Sequence, residues 1–487
     1  MNKSIVILIG ALFFVSVAWA QTNVYTLDEI VQLARSKSPA WLSAETRKEN
    51  EYWQFKTYKS DYNPQLVLDG TLPAFRNTVT AVQQYNGSQD FFAVHDNTIQ
   101  LNLGLKQIVS VTGGEVSVYT NMQRYDNYQT PFTKYGGSPV SIGLKQPVFQ
   151  FNPYKWNKKI KPLEYEESQR AYFEELEQIS INTTRRFFDL MLAQINLEIA
   201  RKNVDSNDTI YQIAKGRFNL GNITENDLLQ LELNLLNSKL DVSQALVDQQ
   251  SALLNLKSFV GLSDTDSIRL VLPENIPDFA VDEDIALSEA RKNKSDMVGF
   301  KRRELEAQQE VARERQSTGV NMDLVASYGL NNEGPTINDV YINPESGLQF
   351  GLEMTVPVLD WGRQKARVKT AEANQKLVEY QLIQDEATFD QDVLTQVRNF
   401  NLLRDQLGAK LRADEISQKA YTVSKQLFLI GKITITELNA SLASKDKAKQ
   451  EYISSLRDFW LAYYNLREKT LYDFQRNQLL LRDIQTN

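Results

Sequence analysis

The sequence contains one short turn twice, and the two copies stand in register. LGNITENDLL (Leu220–Leu229) and IGKITITELN (Ile430–Asn439) align so that Gly221 and Gly431, Ile223 and Ile433, and Thr224 and Thr434 are each 210 residues apart. The correspondence extends further: KQPVFQFNPYKW (Lys145–Trp156) matches TVPVLDWGRQKA (Thr355–Ala366) at the same offset, with Pro147 over Pro357. Upstream, LDEIVQLARSKSPAWL (Leu27–Leu42) resembles DEDIALSEARKNKSDMV (Asp282–Val298), with Ala34 over Ala290 at an offset of 256, so the first copy holds 46 extra residues before Pro147. Each half therefore reads helix, strand region, long helix, sharp turn, long helix. The segment Leu262–Phe279, rich in Asp, Ser and Pro, is the natural joint between the halves.

The strand regions alternate. In GLQFGLEMTV, Leu348, Phe350, Leu352, Met354 and Val356 fall on one face, with Gln349, Gly351, Glu353 and Thr355 on the other. TIQLNLGL (Thr98–Leu105) repeats the pattern, and looser versions occur at Gln65–Leu72, Glu115–Met122, Val140–Gln146 and Asn321–Leu330. A sheet half-buried in a soluble core and the wall of an outer-membrane barrel both give this alternation. The connections Pro73–Asp96, Gln123–Ser138 and Asn331–Ser346 are long and polar, whereas Thr112-Gly113-Gly114 is short. That asymmetry is the one expected of outer loops and periplasmic turns. The first half then gives four strands and the second gives two. Six strands enclose no useful bore, so a pore requires several chains sharing one wall.

The N-terminus adds a compartment. MNKSIVILIGALFFVSVAWA has one Lys, an apolar run and Ala18-Trp19-Ala20 before Gln21, the layout of a secretory signal peptide. The chain has no Cys and a single His, His95, expected in an outer loop. This removes disulfides, thiolate metal sites and nearly every His-based catalytic constellation. A formal net charge of −7 gives no sign of nucleic acid binding.

The helices are long. From Asn152, followed by Pro153 as a first-turn proline, helical pattern runs to about Asn219, and its counterpart from about Trp361 to Ile430. Return helices follow at Thr224–Val260 and from Thr434 to beyond Phe474. On the first return helix, Leu233, Leu240, Val247 and Leu254 recur every seven residues, and Leu228, Leu235, Val242 and Leu256 make a second seam. Two apolar seams suit a wall in which each helix has neighbours on both sides; an ordinary antiparallel bundle would also accept them.

Each turn places Gly where a long helix ends, then Thr, then a carboxylate three residues on (Asp227, Glu437), the spacing of a capping box. Capping leaves Ile223 and Ile433 unexplained, because an apolar residue in a turn suggests a buried contact. With the duplicated layout, the KQPVF and TVPVL entries into long helices, and F-x-x-G-x-I-T-x-x-[DE]-L at Phe218–Leu228 and Phe428–Leu438, the chain resembles the TolC family of outer-membrane efflux and secretion channels.

The resemblance implies a mainly α, internally duplicated protomer whose transmembrane β region joins a shared trimeric β-barrel. It also implies a homotrimer set in outer-membrane lipid, with a periplasmic adaptor (membrane fusion) protein and, indirectly, an inner-membrane transporter as partners. No cofactor, metal or catalytic residue is implied. Gly221, Asn222, Ile223, Thr224, Gly431, Lys432, Ile433 and Thr434 are the implied adaptor contacts. Asp227 and its counterpart Glu437 fall where the family's periplasmic gate has carboxylates, and such a ring would repel itself and raise some of their pKa values. The expected barrel lumen includes Asp69, Lys145, Asp323 and Glu353. Where the best-known members have Tyr and Arg at the second tip, this chain has Phe428 and Ile433, and a further acidic position falls on Asn439 or Ala440.

The expected organisation is a signal peptide at 1–20, helices at 21–62, strands and loops at 63–148, and a hairpin at 149–261 with its tip at 220–224. A linker at 262–281, helices at 282–319, strands at 320–358, a second hairpin at 359–475 with its tip at 430–434, and a tail at 476–487 complete it. Twelve strands per trimer is the family's usual number, and the hairpin around Gly113 either enlarges the barrel towards eighteen or folds elsewhere. The expected function is passive export through the exit duct of a tripartite efflux pump. The alternatives are the exit channel of a type I polypeptide secretion system and a periplasmic coiled-coil scaffold that is not a channel.

Overall fold

The computed structural model describes residues 23–85, 87–263, 268–273 and 276–481. The expected signal peptide and residues 482–487 of the expected tail lie outside the described residues. The chain divides into two compact units. One comprises the chain through Glu45, Tyr172–Ala290 and the residues from Asp392 onward; the other comprises Thr46–Ala171 and Arg291–Gln391.

The second unit holds one antiparallel sheet of six strands: β2 (Gln65–Gln83), β3 (Gln89–Val109), β4 (Gly114–Asn127), β5 (Phe132–Val148), β7 (Asn321–Gly334) and β8 (Glu345–Thr355), hydrogen-bonded in that order. The hairpin through Thr112-Gly113-Gly114 is part of this sheet as the β3–β4 connection, with Gly113 at φ +79°. The strands outrun their apolar alternation. Pro73–Asp96, expected as a loop, is mostly ladder, with Arg76 opposite Asp96 and Gln83 opposite Gln89. Gln123–Ser138 narrows to a turn between Asn127 and Phe132. Only the link after Gly334 keeps other structure, a 3₁₀ turn at Ile337–Tyr341. The physical reason is that backbone ladders satisfy their own donors and acceptors whatever the side chains, so pairing continues where the faces cease to be apolar. His95 accordingly lies exposed on β3 and not in an outer loop.

The helices that flank this sheet are α2 (Pro39–Ser60), the start of α3 (Pro153–Asn219), α6 (Ser295–Ser317) and the start of α7 (Arg363–Leu429). The Asn152 side chain accepts from the backbone N–H groups of Tyr154 and Lys155, so it is the N-cap that lets Pro153 open α3. Phe55 of α2 stacks on Tyr165 of α3 at 4.4 Å, and Arg302 of α6 holds Glu167 of α3. At 1.5 Å per residue, the 67 residues of α3 and of α7 each make a rod of about 100 Å.

The first unit contains the return helices α4 (Glu225–Val260) and α8 (Ile435–Thr470), with α1 (Leu27–Lys37) and most of α5 (Glu283–Asn293). The expected linker is not wholly irregular: β6 (Ile268–Leu270) pairs in parallel with β1 (Asn23–Tyr25). A three-residue match so distant in sequence leaves no periodic signal. The helix α8 stops at Thr470, short of the expected Phe474, and a hairpin of β9 (Tyr472–Asp473) and β10 (Gln478–Leu479) follows. Leu471 takes the left-handed conformation at φ +48°, which turns Asp473 back to Arg467. Arg467 also bonds Glu177 at 3.0 Å, and Glu177 receives Arg35 at 3.0 Å, so a buried charge cluster ends the helix. Buried carboxylates of this kind demand partners, and the partners dictate the path of the chain.

Candidate functional site

The two tips have the same backbone. Gly221 and Gly431 stand at φ +73° and +74°. Asn222 N–H donates to the Arg217 carbonyl at 2.9 Å, and Lys432 N–H donates to the Leu427 carbonyl at 2.9 Å, the six-to-one closure of a glycine-capped helix. Thr224 and Thr434 each complete a capping box, with Asp227 N–H donating to Thr224 Oγ1 at 3.1 Å and Glu437 N–H donating to Thr434 Oγ1 at 3.3 Å. Each carboxylate in turn accepts from the backbone and hydroxyl of its threonine. These bonds, the backbone one foremost, hold the Glu437 carboxyl below its ordinary pKa. In the single chain its direction is thus opposite to the rise expected of a crowded ring.

Ile223 and Ile433 are half-buried on a core that both hairpins share: Ile210 and Ala214 of α3, Leu231 of α4, Tyr421 of α7, and Ile435 and Leu438 of α8. Phe428 packs there as well. An apolar residue in each turn is therefore accounted for within the chain. Beside this core lies a cavity of about 220 Å³ whose lining includes Arg217, Ile223, Asp227, Phe428 and Ile433.

Arg217 is the tip residue that sequence reasoning missed. From the last turn of α3 its guanidinium donates to the carbonyls of Phe428 and Leu429, the closing carbonyls of α7. A cation there gives the Leu429 carbonyl a donor, adds a second one to the Phe428 carbonyl, which already accepts from Gly431 N–H at 2.9 Å, and meets the negative end of the helix dipole. Its repeat counterpart, 210 residues on, is Leu427, which can make no such bond. The difference between the aligned repeats was the available signal.

The sheet parts an apolar face from a polar one until Arg124, opposite Ile99, and Asp126, opposite Asn97, interrupt the apolar face. One row across all six strands reads Leu66, Leu105, Val118, Ile142, Tyr328 and Leu348, and every member is exposed. The neighbouring row reads Gln65, Lys106, Ser117, Gly143, Ser327 and Gln349. Asp69, Lys145, Asp323 and Glu353 all lie on the polar face. Asp323 is opposite Glu353, Lys145 is opposite Glu115, and Asp69 stands apart, accepting from Asn102 at 3.0 Å. Among the described residues no helix is long and apolar enough to cross a membrane and no cluster suits a metal ion.

The sequence profile of the family described as "Outer membrane efflux protein" matches residues 30–262 and 286–468. The chain belongs to that family. Members of the outer membrane efflux protein family are channels and not enzymes, and this chain accordingly has its place in the outer membrane, with long helices in the periplasm. A curated relative, the alkaline protease secretion protein AprF of Pseudomonas aeruginosa, is 24% identical over 337 residues, covering 65% of this chain and 67% of its own length. Among solved structures, the CmeC outer membrane channel of Campylobacter jejuni superposes with a TM-score of 0.67 at 15% identity, covering 94% of this chain and 88% of that one. The open state of the MtrE outer membrane channel of Neisseria gonorrhoeae gives 0.61 at 13% identity, covering 91% and 88%. These likenesses place the fold of the chain among the TolC-like protomers.

Proposed function

We propose that three copies of this outer-membrane channel protein close one barrel of eighteen strands and form the passive exit duct of a tripartite efflux system. The sheet carries the reading. Among the described residues its edge strands β2 and β8 have no partner on their outer sides, and an exposed apolar row crosses all six strands on one face. Unpaired edges are intolerable in lipid, and only closure removes them. An even number of strands sends β2 and β8 in opposite directions, so copies joined head to tail keep antiparallel pairing around the ring. Barrels of sixteen to eighteen strands leave an aqueous channel. Asp69, Lys145, Asp323 and Glu353 then line that channel.

The helices support the same ring. The seam Leu233, Leu240, Val247 and Leu254 on α4 is exposed, whereas Leu235 and Leu256 of the other seam are buried. On α7, Leu402, Ile416 and Val423 are exposed at multiples of seven residues, and Ile430, just past its end, continues the spacing. Two unpartnered heptad seams on one chain suit contact between adjacent copies. The tips, Gly221–Thr224 and Gly431–Thr434, number six per trimer and face a periplasmic adaptor linked to an inner-membrane transporter, with Asp227 and Glu437 at the entrance.

The test is the mass of the protein extracted by detergent from washed outer membranes, measured by light scattering corrected for bound detergent. Three chains are expected; a water-soluble monomer would overturn the reading and leave a periplasmic scaffold. A second reading, an exit channel for polypeptides, is favoured by the name of the relative AprF. Recovery of a protein substrate stalled in the duct by crosslinking would select it over small-solute efflux.

A further inference from the structure

Where the four long helices leave the sheet, cations and aromatic rings collect. In the last two turns of α2 and the first two of α3, Lys56, Lys59, Lys155, Lys158 and Lys159 are exposed. Among the described residues none of them has a carboxylate partner. Four are stationed by rings: Lys56 over Tyr52 at 5.4 Å, Lys59 over Phe55 at 4.6 Å, Lys158 over Tyr62 at 5.3 Å and Lys159 over Trp156 at 5.4 Å. The rings in turn lock to one another, Phe55 on Tyr165, Tyr58 on Tyr62 and Tyr62 on Tyr154. Lys158 also donates to Ser110 Oγ at 2.6 Å, in the β3–β4 connection, which fixes the group at the rim of the sheet.

The second repeat rebuilds part of this. Lys365 lies 210 residues after Lys155, and Trp361, 90% exposed, lies 210 after Phe151. Lys365 and Arg367 are exposed and likewise lack a carboxylate partner among the described residues. Farther along the same helices Arg170 pairs with Glu166, Arg302 with Glu167 and Arg303 with Asp385, and at the rim itself Arg315, in the last turn of α6, pairs with Glu372. Unpaired cations at the rim of a chain whose formal charge is −7 are a local feature and not a reflection of composition.

We propose that this collar binds the phosphate headgroups of anionic phospholipid in the leaflet of the outer membrane that faces the periplasm. The inference rests on the exposed apolar face of the sheet lying in lipid. At that depth amphipathic rings and lysines sit among headgroups, and the collar is continuous with the apolar rows of β2–β5. A lysine stationed beside a ring, with no carboxylate taking its charge, still has N–H donors to offer a phosphate, and basic clusters beside a membrane segment select anionic lipid. The ladder has the same rim in both repeats, so the charge encircles the barrel.

Native mass spectrometry of the detergent-extracted protein decides it, with phosphatidylglycerol and phosphatidylethanolamine offered in turn and bound lipid counted per chain. Wild type should retain phosphatidylglycerol in preference. A variant with K56Q, K59Q, K155Q, K158Q and K159Q should lose that preference by roughly tenfold, and the matched Lys→Arg variant should keep it. Equal retention of the two lipids by wild type, or unchanged phosphatidylglycerol on the Gln variant, would overturn the proposal. So would displacement by excess inorganic phosphate, which marks a free-anion site. The same spectrum reports chain number, so loss of the trimer would strike the channel reading separately while the lipid count per chain still judged the collar.

Discussion

The two hairpin tips share a turn and differ in almost everything around it. Both glycines are left-handed, both threonines cap, and both isoleucines rest on one core. Yet Arg217 of the first repeat reaches the last carbonyls of α7, while Leu427 offers nothing in return. The return helices diverge as well: where α4 exposes Leu240 and Val247, α8 has Gln450 and Arg457. Duplication preserved the turn because backbone geometry requires it. The flanks were free to differ, the first return helix presenting an apolar seam that the second lacks and the second hairpin receiving the latch.

The sharpest way to break that comparison is to charge the seam. Leu240→Asp with Val247→Asp should abolish the trimer, because two carboxylates would be buried unpaired at a helix contact, at a cost of several kcal/mol. Light scattering in detergent would read a monomer, whereas Gln450→Glu, the counterpart on α8, should leave three chains. An unchanged mass for the double variant would remove the seam from the interface. Next in size is the latch. Arg217→Leu makes the first repeat like the second and removes charge-assisted bonds worth about 1.5–3 kcal/mol. Amide hydrogen exchange should quicken at 428–434 and single-channel conductance in bilayers should rise; Arg217→Lys should fall between, since an ammonium lacks the fork that spans two carbonyls.

Features set by neighbouring residues were legible in the sequence. Gly221 with Thr224 and Asp227 dictates a capped turn, and the alternation at 347–356 dictates a two-faced strand. Features set by distant partners were not. Arg217 reads as an ordinary cation in a last helical turn, because its acceptors lie 211 and 212 residues away. The extension of β2 and β3 through Arg76 and Asp96 depends on ladder pairing, which leaves no pattern in polar side chains. Leu471, a residue with no preference for left-handed backbone, ends α8 only because Asp473 must meet Arg467.

The turns themselves should respond equally. Gly221→Ala and Gly431→Ala each place a Cβ where no atom lies within 4 Å, so the penalty is conformational alone, about 1–2 kcal/mol in each tip. Thermal unfolding of the two variants should shift by the same amount. A marked difference would show that the tips are not equivalent even in their backbone.

The smallest expected effect is a pH response at the second tip. Glu437 is held below its ordinary pKa by the Thr434 N–H first and the Thr434 hydroxyl second. A carboxyl depressed on folding contributes stability that is fully present above its unfolded value and is lost as pH falls through the folded value. Acidification from neutral pH should therefore leave the second tip unchanged until the ordinary glutamate range is reached, then loosen it progressively below. Hydrogen exchange of Thr434 and Glu437 amides, followed at descending pH and corrected for intrinsic rates, reads this directly. Glu437→Gln keeps an acceptor for the Thr434 N–H but cannot titrate, so its exchange should show no such pH step. A ring of crowded gate carboxylates would instead hold Glu437 above its ordinary value in the trimer, and loosening would then begin nearer neutrality. The pH at which the second tip opens thus distinguishes a carboxylate committed to its cap from one committed to the entrance.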